Sequence, residues 1–153
     1  YVNTGATPTV FTGPGTDHTT GIGNYMYTEA DGNVPEMTTF LISPCIDIGS
    51  LSDPFLEFWY HMYGSRMGTL YIDIESGGVW TQGVDSIVGD QGNNWFERQV
   101  DLSAFSGIIR VGFRGVTGAW VFSDMAIDDV KIYDKPQTMW ELSSLAIQIQ
   151  VAA

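Results

Sequence analysis

Cysteine is nearly absent from this chain: Cys45 stands alone among 153 residues, which excludes an internal disulfide and leaves the redox compartment open. Basic residues are scarce too, six Lys and Arg against 18 Asp and Glu. The formal charge of -12 repels a phosphate backbone over most of the surface, so no nucleic-acid partner is expected. No apolar run approaches the roughly 18 consecutive residues of a membrane helix, because Gly, Asp or Ser interrupts each one within a few positions. No membrane insertion is expected. The first residues lack a basic stretch followed by an apolar one, so an exported form has lost its signal or carries it upstream.

What is present fits one folded domain with a real core. Hydrophobic residues make up 44% and aromatics 13%, with 18 glycines as punctuation, a balance outside the disordered and coiled-coil classes. Residues 1–24 are rich in Thr, Gly and Pro without an apolar period and read as an ordered loop. Beyond them, β-branched and aromatic runs at 24–29, 38–43, 55–63, 67–75, 95–102, 108–114 and 123–133 are separated by turn residues and read as strands.

In the 55–63 run, Leu56, Phe58, Tyr60 and Met62 form the purer core face, and Phe55, Glu57, Trp59, His61 and Tyr63 the other. In the next run Thr69, Tyr71, Asp73 and Glu75 alternate with Leu70, Ile72 and Ile74, which predicts a polar face turned to solvent. Gly64-Ser65-Arg66 between the two reads as a hairpin turn. About seven short strands without helical crossovers predict an all-β fold, an antiparallel jelly-roll β-sandwich. The domain is expected to span 1–135. A tail at 136–153 carries one more alternating segment at 145–151 (LAIQIQV), an extra strand or the start of a following segment.

Catalytic chemistry is poorly supplied. Only His18 and His61 offer imidazoles, and an activated Ser, Cys or Thr needs a base beside it. Gly64–Gly68 has its Ser in the wrong place for a nucleophile elbow, and zinc, phosphate-loop and dinucleotide motifs are missing. The run Tyr71-Ile72-Asp73-Ile74-Glu75 is similar to the E-x-D-x-E strand of laminarinase-like glycosidases, but Tyr71 stands where a carboxylate is needed. No enzyme activity is expected. Hard oxygen ligands suited to Ca²⁺ are offered by Asp17 and by Asp128 or Asp129. Strand alternation allows only one of the last two to face a site beneath the loop, and an Asx-type turn cap is the competing role for Asp17.

Five blocks in order, TGPGTDHTTGIGNYMYTE at 12–29, LISP at 41–44, LEFWYHMYGSRMGTL at 56–70, GDQGNNW at 89–95 and SDMAIDDVKI at 123–132, resemble the MAM domain, the module of meprins, neuropilins and receptor-type protein tyrosine phosphatases. The resemblance runs from residue 1 to about 133. It implies a jelly-roll sandwich, an extracellular, secreted or cell-surface setting, no catalysis, and adhesion or targeting through a protein or glycan partner. It also implies a structural Ca²⁺ near Asp17 and Asp128 or Asp129.

The family's usual first strand, with its F-E pair and cysteine, has no counterpart from Tyr1 onward. The open edge this implies is expected to be filled by 145–151 or by a strand donated from another segment or chain. The unpaired Cys45 suits a bacterial surface protein or exported enzyme that carries the module as one segment. The alternative function is a carbohydrate-binding module attached to a secreted polysaccharide-degrading enzyme or protease. In it, sugar rings would stack on Trp80, Trp95, Trp120 or Tyr71, and Asp73 and Glu75 would accept their hydroxyls.

Overall fold

The computed structural model describes residues 1–31 and 36–135. Its regular elements are all strands: β1 (Val2–Asn3), β2 (Tyr25–Thr28), β3 (Thr38–Ile42), β4 (Ile46–Asp47), β5 (Pro54–Met62), β6 (Thr69–Ser76), β7 (Val79–Val88), β8 (Phe96–Asp101), β9 (Ile108–Val116) and β10 (Met125–Asp134). One sheet has the order β1-β2-β10-β5-β8. The other has the order β3-β9-β6-β7, with β4 also on β9. Every pairing is antiparallel, and the two sheets face each other as the expected jelly-roll sandwich.

The core follows from alternation. Leu56, Phe58, Tyr60 and Met62 of β5 point inward and meet Leu70, Ile72 and Ile74 of β6 and Ile109, Val111 and Phe113 of β9. Phe58 and Phe113 close the gap between the sheets edge to face, centroids 5.0 Å apart at 79°, an arrangement favoured by the ring quadrupoles. Each such side chain contributes about 1.5–3 kcal/mol on burial.

Four expectations change. The segment 64–66 is not a hairpin turn, because β5 and β6 lie in different sheets; it carries the chain across the sandwich. The strand β7 was not expected: Gly83 and Asp85 interrupt it, and most of its side chains are exposed at a sheet edge, so no apolar period marks it. The two-residue strands β1 and β4 are too short to show a pattern. The outer face of β6 is not open to solvent throughout, since Asp73 is only 3% exposed. The segment 145–151 lies outside the described residues.

Asp73 survives burial because Arg114 grips it with two hydrogen bonds, 2.7 and 3.0 Å, and the Gly83 N–H donates a third at 2.7 Å. Burial pushes its carboxyl pKa up, but these donors outweigh it and hold the group below its ordinary value. The Arg114 guanidinium also lies over the Tyr71 ring, 4.2 Å from its centroid. Removing one partner of a buried pair leaves the other uncompensated. We therefore expect Arg114→Ala to cost about 3 kcal/mol in urea unfolding, and Arg114→Ala with Asp73→Leu to recover a large part of that loss.

Candidate functional site

The outer face of β5 carries Trp59 and His61, and the N-terminal loop lies across it. The His18 ring stacks on Trp59 at 3.6 Å and 16°. Trp95 packs edge-on against His18, His61 and Tyr25, and its indole N–H donates to the Thr16 carbonyl at 3.1 Å. His61 is buried, with Nε2 3.0 Å from Asn93 Oδ1; burial lowers its pKa, so the neutral ring is favoured. A packed histidine was the expectation here, and the structure agrees with it.

Carboxylates hold this loop down. Asp17 accepts the Thr20 N–H and hydroxyl, both at 2.9 Å, on Oδ2 and the Gly23 N–H at 2.9 Å on Oδ1. These donors, the Thr20 N–H foremost, keep its pKa low. Asp128 Oδ2 accepts the His18 N–H at 2.9 Å. Asp129 Oδ2 accepts the Thr19 hydroxyl and lies 2.8 Å from His18 Nδ1. Both aspartates reach one loop because the β10–β5 register shifts between Asp128 and Lys131 and Asp129 has φ 48°. A bulge with a residue in the left-handed region re-aims a side chain, and Asp tolerates that region. The rule that only one of the pair can face the loop therefore fails.

The three residues that the resemblance nominates for Ca²⁺ thus converge on one loop, but their oxygens face N–H and O–H donors. A calcium cage needs 6–8 oxygens free to face the ion. As arranged, Asp17, Asp128 and Asp129 make a hydrogen-bonded clasp and do not fit a cation. Among the described residues no three His, Cys, Asp or Glu side chains gather so as to hold a metal.

Of the six residues expected to bind sugar, Tyr71, Asp73, Glu75 and Trp80 share the outer face of the β7–β6–β9 sheet, with Glu75 opposite Trp80 and Asp73 and Trp80 meeting over Gly112, while Trp95 and Trp120 stand apart. Trp95 is packed in the His18 cluster. Tyr71 has Arg114 on one face, Asp73 is buried, and Glu75 pairs with Arg110 at 3.4 Å. Trp80 leans over Gly112, where a side chain would strike its ring. Trp120 is 65% exposed.

Trp120 belongs to the end of the sandwich where the loops meet, and sequence reasoning missed its companions. Thr12 donates its hydroxyl to the Tyr63 carbonyl at 2.8 Å and accepts the Asp124 N–H at 2.9 Å. The Ser123 hydroxyl oxygen accepts the N–H groups of Gly68 at 3.2 Å and Gly118 at 2.8 Å. A Cβ on Gly118 would collide with the Arg66 carbonyl, so the backbones touch there. Next to this knot, Phe11 has φ 66°, a strained value for a bulky residue, and its side chain is 73% exposed. Val10 is exposed beside it. The Thr/Gly/Pro composition of 1–24 marks the loop but does not single out Phe11.

At the open edge between β2 and β3, an apolar groove of about 210 Å³ is lined by Met26, Phe40, Leu41, Leu70, Phe113 and Met125, among others. Among the described residues no helix is long and apolar enough to cross a membrane.

Two antiparallel sheets with their loops tied at one end define a β-sandwich module. Its family follows from comparison: the MAM domain, meprin/A5/mu model matches residues 2–137, and the chain belongs to that family. It is 38% identical over 141 residues to Neuropilin-1a of Danio rerio, a match covering 87% of this chain and 15% of that protein. It is 36% identical over 138 residues to MAM domain-containing protein 2 of Mus musculus, covering 86% of this chain and 19% of that protein. The chain therefore spans less than a fifth of these relatives. The K1 cleaved adhesin domain of Lys-gingipain from Porphyromonas gingivalis W83 superposes with a TM-score of 0.59, covering 86% of this chain and 82% of that one at 19% identity. That likeness is one of fold.

The clasp sets a pH dependence. The folded-state pKa of Asp17 lies below its ordinary 3.8, so its stabilisation is present above that value and lost as pH falls through the folded one. In urea unfolding, Asp17→Asn should be less stable than the parent at pH 6, and the gap should narrow at pH 2.5. A gap independent of pH would show that the carboxylate charge plays no part.

Proposed function

We propose that this MAM domain is a non-catalytic extracellular adhesion module that binds a protein partner through the loop end carrying Val10, Phe11 and Trp120. The observation that carries this reading is the contrast within that end. A base tied by buried hydrogen bonds and touching backbones supports large apolar side chains left in solvent. Exposed apolar side chains on a rigid base are what an interface hot spot requires, and rigidity lowers the ordering cost of binding. The charge of -12 favours a partner with a basic rim around an apolar pocket. The carbohydrate alternative draws less support, since Trp95, Tyr71 and Asp73 are engaged within the fold and no paired aromatic platform links Trp80 to Trp120.

The test is binding of the purified domain to immobilised collagen, laminin and fibronectin and to an array of neutral glycans. Phe11→Ala and Trp120→Ala are measured beside the parent. We expect saturable binding to a protein surface, weakened at least tenfold in either variant, with melting temperatures within about 1 °C of the parent, as for exposed side chains generally. Binding to glycans alone would replace this reading with the carbohydrate one. Protein binding that both variants retain would remove the loop end from the interface.

A further inference from the structure

The two sides of the sandwich are finished differently. On one, Arg98 of β8 reaches across to Asp85 of β7 with two hydrogen bonds of 2.6 Å, the β6–β7 register shifts between Ile72 and Ile74, and Gly83 has φ 63°. Charge and irregularity of this kind blunt an edge. On the other, β3 ends its sheet with the sequence TTFLI, which holds no charge, proline or glycine. Its ladder polarity is fixed at both ends: the Thr117 N–H donates to the Met37 carbonyl at 3.0 Å, and the Ser43 N–H to the Val111 carbonyl at 2.9 Å. Alternate residues of an antiparallel ladder bond to one neighbour, so Thr39 and Leu41 serve β9. Thr38, Phe40 and Ile42 turn their N–H and C=O groups to the free side, where among the described residues no strand pairs with them. Leu41 packs on the core but is only half-buried, as is Met26 of the opposite sheet, and both line the apolar groove at this edge.

A row of free backbone groups beside an apolar groove fits an extended segment with one apolar face, added to the sheet as a further strand. We infer that residues 145–151 of this same chain are that segment, set antiparallel to β3 with Leu145, Ile147, Ile149 and Val151 in the groove and Ala146, Gln148 and Gln150 toward solvent. The sequence there alternates with period two and carries no charge, which matches a groove on one side and water on the other. Direction and reach agree. Gly115 is bordered by the Thr28 and Thr39 hydroxyls and the Met125 thioether, so β3 and β10 begin at the same end of the sandwich and run the same way. The strand β10 stops at Asp134, and the Lys135 N–H donates to the Asp53 carbonyl at 2.9 Å, at the end toward which β3 runs. A chain turning back from there crosses about 10 Å between the sheets and runs antiparallel to β3, and residues 136–144 can reach about 30 Å. A tethered strand meets the edge at an effective concentration on the order of mM, which a second copy would have to match from solution.

The experiment is amide hydrogen exchange read by NMR on the full chain, with sedimentation to fix its mass. It is run on the parent, on Ile147→Asp and Ile149→Asp made separately, and on Gln148→Asp. We expect a monomer in which the Phe40 and Ile42 amides are protected, and in which either Ile→Asp variant speeds their exchange at least about tenfold while Gln148→Asp does not. The Leu41 amide, which bonds to β9, should stay protected throughout and so reports that the sandwich is folded, and two separate substitutions guard against one that is not. Phe40 and Ile42 amides that exchange freely in the parent would overturn the inference. Protection kept by both Ile→Asp variants would overturn it by giving the edge to another segment, and protection that fades on dilution together with a dimer mass would overturn it in favour of a strand from a second copy.

Discussion

A long loop laid over a sheet without pairing to it leaves backbone N–H groups that only side chains or water can satisfy. Here Asp17 and Asp128 take three of them, from His18, Thr20 and Gly23, and the same use of acids recurs along the chain. Among the described residues Asp17, Glu29, Asp47, Asp73, Asp85, Asp90, Asp101, Asp124, Asp128 and Asp134 each accept at least one backbone N–H. Hydrogen bonds to a charged acceptor are stronger than neutral ones. The acidity of the chain, which on composition alone speaks only of solubility and repelled partners, is therefore a structural device in which acids substitute for missing sheet partners.

That device explains why the candidate metal ligands do not form a cation site. A carboxylate surrounded by N–H groups is already neutralised by dipoles, as Asp17 and Asp128 are, and a cation would have to displace those donors. Distance between acids is thus a poor guide to metal binding; what decides is whether the lone pairs turned toward the shared space already have a hydrogen on them.

The sheets were readable from the sequence because burial imposes a period on them. Leu56, Phe58, Tyr60 and Met62 alternate without a break, and the structure puts all four in the core. Where burial imposes nothing, the reading failed: β7 sits at an edge, and β1 and β4 are too short. The hairpin at 64–66 failed for another reason. Turn residues report that a chain reverses, not whether the next strand joins the same sheet or the opposite one. The Asp128–Asp129 error came from applying period two across a bulge, whose only local sign is two consecutive residues able to leave the strand conformation. Family resemblance correctly supplied the module and its fold. It did not supply Phe11, whose place depends on which loops meet at one end.

That loop end joins two physical requirements that usually oppose each other. Large apolar groups in water favour collapse onto the nearest surface, and a mobile loop would let them do so. Here the backbones of Gly118 and Arg66 touch, Thr12 and Ser123 bond to the backbone at Tyr63, Asp124, Gly68 and Gly118 beside the strand ends, and Phe11 is held in a left-handed conformation with its side chain exposed. The strain at Phe11 persists only because its neighbours over-determine it. A loop serving only to connect β-strands has no need to hold such a residue in solvent, whereas a recognition surface gains from side chains held ready before the partner arrives. In the proposed interface, part of the folding energy would serve preorganisation, and the polar knot below the surface would belong to the binding site as much as the exposed rings above it.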